Sequence, residues 1–153
     1  ITMYQIKRKQ IIKADLDTCW AFFSSPYNLK KITPTYMGFE VLSEIPEKIH
    51  EGLMIEYRVK PLLGIPTKWV SRISKVEEKK FFIDEQCSGP YKEWLHEHHF
   101  KQVDDGTEIT DLITYQMPFG LLGQIAQPFI VKKKLESIFN YRNKAIKDIF
   151  KQA

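Results

Sequence analysis

GLLGQIAQPFIVKKKLESIFNYRNKAIKDIF, residues Gly120 to Phe150, holds the longest helical signal in the chain. Leu122, Ile125, Phe129, Leu135, Ile138, Phe139, Arg142, Ile146 and Ile149 recur there at steps of three and four, the spacing of one helix face. Lys132, Lys133, Lys134, Lys144, Lys147 and Lys151 fall largely elsewhere on the wheel. Proline is tolerated in a first turn but not in mid-helix, so Pro128 is expected to split the run. The spacing predicts a short segment from Leu121 to Gln127, then a helix of roughly 23 residues and about 35 Å. A helix that long with one wet face needs a broad surface to lie on. The rest of the chain supplies a sheet.

Met3 to Ile12 alternates, with Tyr4, Ile6, Arg8, Gln10 and Ile12 on one side, and reads as a strand. Asp15 is an N-cap candidate for a helix on which Leu16, Cys19, Trp20 and Phe23 share a face, ended by Ser24-Ser25-Pro26. Tyr27 to Ile32 reads as a second short helix stopped by Thr33-Pro34. Strands are then expected at Phe39–Ile45, Leu53–Lys60, Thr67–Val76, Phe81–Cys87, Tyr91–Val103 and Thr107–Met117. Their breaks include Pro46, Pro61-Leu62-Leu63-Gly64, Ser88-Gly89-Pro90 and the hairpin signal Asp104-Asp105-Gly106. The links are short, so neighbouring strands are expected to pair antiparallel.

At 153 residues the chain is expected to be one domain, 1–153, with a core that needs no staples. The net charge is +4 and is unevenly placed. From Leu121 onward seven Lys and Arg stand against Glu136 and Asp148, giving +5, which leaves −1 for the first 120 residues. The basic helix is either a solvated face or a surface for acidic lipid headgroups or an acidic partner. Nucleic acid is not an expected partner: no motif for it is present, and the aromatics are not interleaved with the basic residues. Cys19 and Cys87 form no CxxC pair or metal spacing and read as buried free thiols of a reducing compartment. The stretch ITMYQIKRKQII has no apolar signal-peptide core, and no run approaches a membrane span. A cytoplasmic location is expected.

The strands carry more chemistry than a plain sheet needs. One face of Tyr91–Val103 bears Trp94, His96, His98 and Phe100; the other bears Leu95, Glu97, His99 and Lys101. Asp111 alternates with Ile109, Ile113 and Tyr115 on the next strand. Such a mixture lines a partly polar cavity or a hydrogen-bonded core. His98 can pair with Asp111 across the hairpin, as a core contact or as an acid–base dyad. His96 and His98 lack further ligands at a recognisable spacing, so no metal is expected. There is no nucleophile elbow, glycine-rich phosphate loop or diagnostic carboxylate pair, so no catalytic residue and no cofactor is assigned. Arg142, inside the apolar stripe of the terminal helix, snorkels to solvent or neutralises a carboxylate such as Asp111. Because Glu97 and Lys101 suit solvent, the Trp94/His96/His98/Phe100 face is placed inside.

The order of elements resembles the helix-grip fold of the START/Bet v 1-like (SRPBCC) superfamily. Phe22-Phe23-Ser24-Ser25-Pro26-Tyr27-Asn28-Leu29 and Ile32-Thr33-Pro34 look like its two-helix segment. Asp84-x-Gln86-x-x-Gly89-Pro90-Tyr91, Trp94-x-His96-x-His98-x-Phe100, Gly106-Thr107-x-x-x-Asp111 and Tyr115-x-x-Pro118-x-Gly120 look like a bacterial stand-alone subgroup. That subgroup is similar to the extra domain of epimerase-like "cell division inhibitor" proteins. The resemblance implies an α+β fold: a seven-stranded antiparallel sheet wrapped around a long C-terminal helix, with two short helices after the first strand. It implies a cavity between sheet and helix for a lipid, quinone or polyketide-like ligand, with an aromatase- or cyclase-like enzyme as the rarer alternative. The expected cavity is closed, mostly apolar and several hundred Å3. Trp69, Asp84, Gln86, Trp94, His96, His98, Phe100, Asp111, Tyr115, Phe139 and Arg142 are its candidate residues.

Overall fold

The computed structural model describes residues 2–61 and 64–150, so Leu62, Leu63 and Lys151 of the sequence reading lie outside the described residues. Seven strands form one antiparallel sheet in the order β1-β7-β6-β5-β4-β3-β2. They are β1 (Met3–Ile12), β2 (Glu40–Val41), β3 (Met54–Val59), β4 (Thr67–Glu77), β5 (Phe81–Ser88), β6 (Glu93–Val103) and β7 (Gly106–Gln116). From β2 to β7 neighbours in sequence are neighbours in space, as short links require. β1 instead crosses to the far edge and pairs with β7 from Met3↔Gln116 to Ile12↔Thr107. Register shifts at Val70/Ser71 and Ile73/Lys75 place two irregularities in β4, where such features bend a sheet into a concave grip.

Helix α1 (Leu16–Phe23) starts where the Asp15 carboxylate accepts the Thr18 N–H at 2.7 Å. The expected second helix is a 310 segment, Pro26–Ile32, followed by a 310 turn, Thr35–Met37. Pro26 and Pro34 leave too short a run between them for an α-helix to propagate. The strand expected at Phe39–Ile45 shrinks to Glu40–Val41. Leu42 N–H donates to the Glu56 carbonyl at 2.8 Å, while the Ser43 hydroxyl takes the Glu56 N–H at 2.9 Å, so a side chain replaces the ladder there. The hairpin Asp104-Asp105-Gly106 forms as read. A Cβ at Gly106 would stand 2.0 Å from the Ile12 carbonyl oxygen, so only glycine lets β7 start beneath the end of β1.

The terminal run differs from its reading in two ways. Pro128 does not split it. Helix α2 (Gly120–Ala126) passes through a π turn (Gln127–Val131) into α3 (Lys132–Phe150). The proline lies at the start of the wider turn, where Lys132 N–H reaches back to the Gln127 carbonyl. The buried stripe is the expected one in α3, at Leu135, Phe139, Arg142 and Ile146, but not in the turns before it. Gly123, Gln127, Val131, Leu135, Phe139, Arg142 and Ile146 face the protein, whereas Leu122, Ile125, Phe129 and Ile149 face solvent. One extra residue in a turn rotates everything before it, which sends the apolar residues of α2 outward. At Gly123 the contact is so close that a Cβ would meet the Pro118 carbonyl oxygen at 2.0 Å.

Two buried clusters fill the grip. One joins Ile12, Trp20, Phe82, Phe100 and Ile146; the other joins Trp69, Tyr91, Tyr115, Val131, Leu135 and Phe139. Cys19 is buried as expected, but Cys87 is exposed: its stretch of β5 runs past Glu85, where the pairing with β6 ends. Among the described residues no helix is long and apolar enough to cross a membrane.

Candidate functional site

Alternation along β4, β5 and β6 sends Trp69, Ser71 and Ile73, then Phe82 and Asp84, then Trp94, His96 and His98 toward α3. Between them, α1, the 310 segment and α3 lies a cavity of about 210 Å3, partly open to solvent. It is smaller and less closed than the sequence reading expected. Its walls are mostly apolar, with Phe23, Leu29, Ile55, Ile138 and Phe139 among them, and its polar corner is Asp84, His96, His98 and Arg142.

That corner is a connected chain of hydrogen bonds. His98 Nε2 donates to Asp84 Oδ2 at 2.6 Å, and His96 Nε2 to Asp111 Oδ1 at 2.8 Å. His98 Nδ1 stands 3.4 Å from the same Asp111 oxygen, and Arg142 Nη2 donates to it at 3.3 Å. The expected His98–Asp111 pair is therefore the looser contact. Although these two residues are opposite in register, the short bonds run diagonally, His98 to Asp84 and His96 to Asp111. The two imidazoles stack with centroids 3.7 Å apart, and His98 stacks on Phe82 at 4.1 Å. Arg142 does not snorkel; it is buried and neutralises Asp111.

Charge follows from this geometry. Burial pushes the His98 imidazole down, but hydrogen bonds to Asp111 and Asp84 and their charges more than offset it and leave it above its ordinary value. Burial and the neighbouring His98 push His96 below its ordinary value, against the pull of Asp111. Burial would raise Asp111, yet Arg142 and the two histidines hold it well below the usual carboxylate range. Asp84 is opposed by burial and held low mainly by His98. With His98 protonated and His96 neutral, two carboxylates face two cations and the buried cluster is neutral.

Asp84, His96 and His98 bring ligand-type atoms within 4.8 Å of one another, a donor set of the kind that holds zinc or iron. Each imidazole Nε2 already meets a carboxylate, and Arg142 supplies a fixed positive charge at Asp111. The residues are thus matched to each other and to a proton, and poorly to a cation.

Of the sequence candidates, Trp69, Asp84, Trp94, His96, His98, Phe139 and Arg142 line the cavity. The others sit elsewhere. The Gln86 side chain holds both the N–H and the carbonyl of Tyr91 and so braces the β5–β6 turn. Phe100 packs its ring edge to face against Trp20 at 5.1 Å. Asp111 lies behind the histidines, and the Tyr115 hydroxyl accepts the Gln127 amide at 2.8 Å. Sequence reasoning missed Ser71 and Tyr57, whose hydroxyls meet at 3.1 Å in the cavity wall. Ser71 stands two residues from Trp69 on one strand, so alternation carried the signal. Trp69 Nε1 and Arg142 Nε are buried and have no hydrogen-bond partner among the described residues.

A concave antiparallel sheet closed by one long helix, with a cavity between, defines a helix-grip fold. Residues 12–135 match the family described as polyketide cyclase/dehydrase and lipid transport, and the chain belongs to that family. The structure is similar to that of major latex-like protein 151 from Panax ginseng, with a TM-score of 0.70 at 14% identity over 97% of both chains. It is similar to a Thermus thermophilus protein (TM-score 0.67, 15% identity, 96% of this chain and 97% of that one). A Mycobacterium smegmatis protein matches with a TM-score of 0.66 at 17% identity, over 92% of this chain and 88% of that one. At these identities the likeness concerns the fold alone. No curated protein matches the chain.

Proposed function

We propose that this protein binds one small hydrophobic or amphipathic molecule, lipid-, quinone- or polyketide-like, in the cavity between sheet and α3. The carrying observation is the cavity itself: apolar walls converging on one polar corner where Asp84 and His98 are held 2.6 Å apart. Apolar burial drives binding, and the corner orients a polar head. The volume of about 210 Å3 lies below that of a drug-sized pocket, so the ligand is compact or leaves a tail in the opening. Membership of a family named for cyclisation, dehydration and lipid transport supports the same reading.

Organic extraction of the purified protein followed by mass spectrometry, with native mass spectrometry on the same sample, tests it. The expected result is one hydrophobic molecule per chain. An apo mass together with no binding of a fluorescent hydrophobic probe would sink the reading. A second reading, acid–base catalysis, is favoured by one fact: both Asp84 and His98 line the cavity. A ligand recovered chemically changed after incubation separates enzyme from carrier.

A further inference from the structure

We propose that the N-terminal third of the terminal helix docks the protein on an anionic lipid bilayer. Phe119, Leu121, Leu122, Ile125, Phe129 and Ile130 are between 43% and 83% exposed. Scattered exposed apolar residues are ordinary in a folded protein, but six within twelve consecutive positions form a patch. The inward residues Gly123, Gln127 and Val131 tie this segment to the body, so among the described residues its apolar side meets no partner and faces solvent.

Phe119 adds a second observation. Its φ of +62° lies in the left-handed region, unusual for a bulky residue, and it is the most exposed large hydrophobic described. Backbone strain spent on holding an aromatic ring in solvent points to a role outside folding.

Charge selects the occupant. From Phe119 to Leu135 there is no acidic residue, while Lys132, Lys133 and Lys134 follow the patch directly. Lys132 and Lys133 are exposed, and Lys134 lies over the Tyr36 ring at 4.2 Å. Lys132 also shares a surface groove with Lys7 and Arg8 of β1, where Glu136 is the one facing carboxylate among the described residues. Apolar side chains edged by lysines suit an interface whose interior is hydrocarbon and whose surface is negative. A two-fold pairing of copies through this segment would bring the lysine runs together with few acids between them. None of the patch residues lines the cavity, so docking and ligand binding stand or fall separately.

Vesicle co-sedimentation of the full chain tests the proposal, with phosphatidylcholine alone and with phosphatidylcholine plus phosphatidylglycerol. The wild type is expected to pellet with the anionic vesicles and to be released by salt. Leu122→Gln with Phe129→Gln alters exposed positions only; it should keep the thermal melt and weaken binding by at least about 10-fold. Lys132→Gln with Lys133→Gln should abolish the preference for anionic lipid. The proposal is overturned by failure to pellet with either vesicle, or by pelleting that neither double variant changes. It is equally overturned if sedimentation shows a wild-type dimer that the Leu122→Gln, Phe129→Gln variant dissolves.

Discussion

Asp111 is the carboxylate that three side chains share, and it sets the electrostatics of the cavity floor. Its neighbours make stability depend on pH in a definite sense. Asp84, Asp111, His96 and Arg142 face or adjoin His98, and its folded pKa lies above the unfolded 6.5. The stabilisation from its proton is thus complete below 6.5 and is lost as pH rises through the folded value. Asp84 and Asp111 have lowered folded values, so their contribution is present above the unfolded value and lost as pH falls through the folded one. His96, lowered by burial and by His98 itself, runs opposite to His98, and losing His98 relieves part of that lowering, so the comparison that follows reads the net effect of the pair. His98→Gln should therefore destabilise most at about pH 5–6 and progressively less toward alkaline pH. Urea unfolding of both proteins across pH reads this directly, and a gap that widens toward alkaline pH would show that His98 is neutral when folded. The histidines and Asp111 were visible as a constellation in the sequence. Which nitrogen met which oxygen was not, because strand register fixes only the opposite residue and the rotamers chose the diagonal.

At the scale of the element, the terminal helix shows what periodicity can and cannot say. Its length and amphipathic character were legible from Gly120 to Phe150. Its phase was legible in α3 but not in the turns before it. The sequence stripe runs through Leu122, Ile125 and Phe129, but the π turn rotates these away and puts Gly123, Gln127 and Val131 inside. A proline at that turn needs no broken helix, because the wider turn absorbs the missing N–H. Pro128→Ala is accordingly expected to leave the far-UV circular dichroism unchanged and to shift stability by less than about 1 kcal/mol. A clear gain in helicity would show that Pro128 interrupts the helix after all.

For the whole molecule, the cavity predicts a link between ligand and stability. A ligand that binds only the folded state at a hundredfold excess over its Kd adds about 2.7 kcal/mol. For a chain of this size that is about 5–10 °C in Tm. Protein stripped of bound molecules by solvent extraction and refolded should melt lower by that order than the protein as purified. Returning the extract should restore the melt. Equal melts before and after would mean that nothing in the extract occupies the folded state.

The sequence by itself determined the strands with clean alternation, the capped first helix, the tight hairpin at Gly106 and the long final helix. Those features follow from local rules: period, capping and turn chemistry act within a few residues. It favoured the Trp94-His96-His98 face as the inward one, because Glu97 and Lys101 on the opposite face suit solvent, but alternation alone left both faces open. Only the tertiary structure decided the rest. The crossing of β1 to pair with β7 joins residues 95 to 113 positions apart, and no local pattern encodes that partner. The shortened β2 came from a serine hydroxyl competing with the ladder. The assignment of Gln86 and Tyr115 to bracing, and of Ser71 and Tyr57 to the cavity wall, came from packing. The exposed patch of α2 came from one extra residue in a turn, whose effect is a rotation of the whole segment and is expressed only once the helix lies against the sheet.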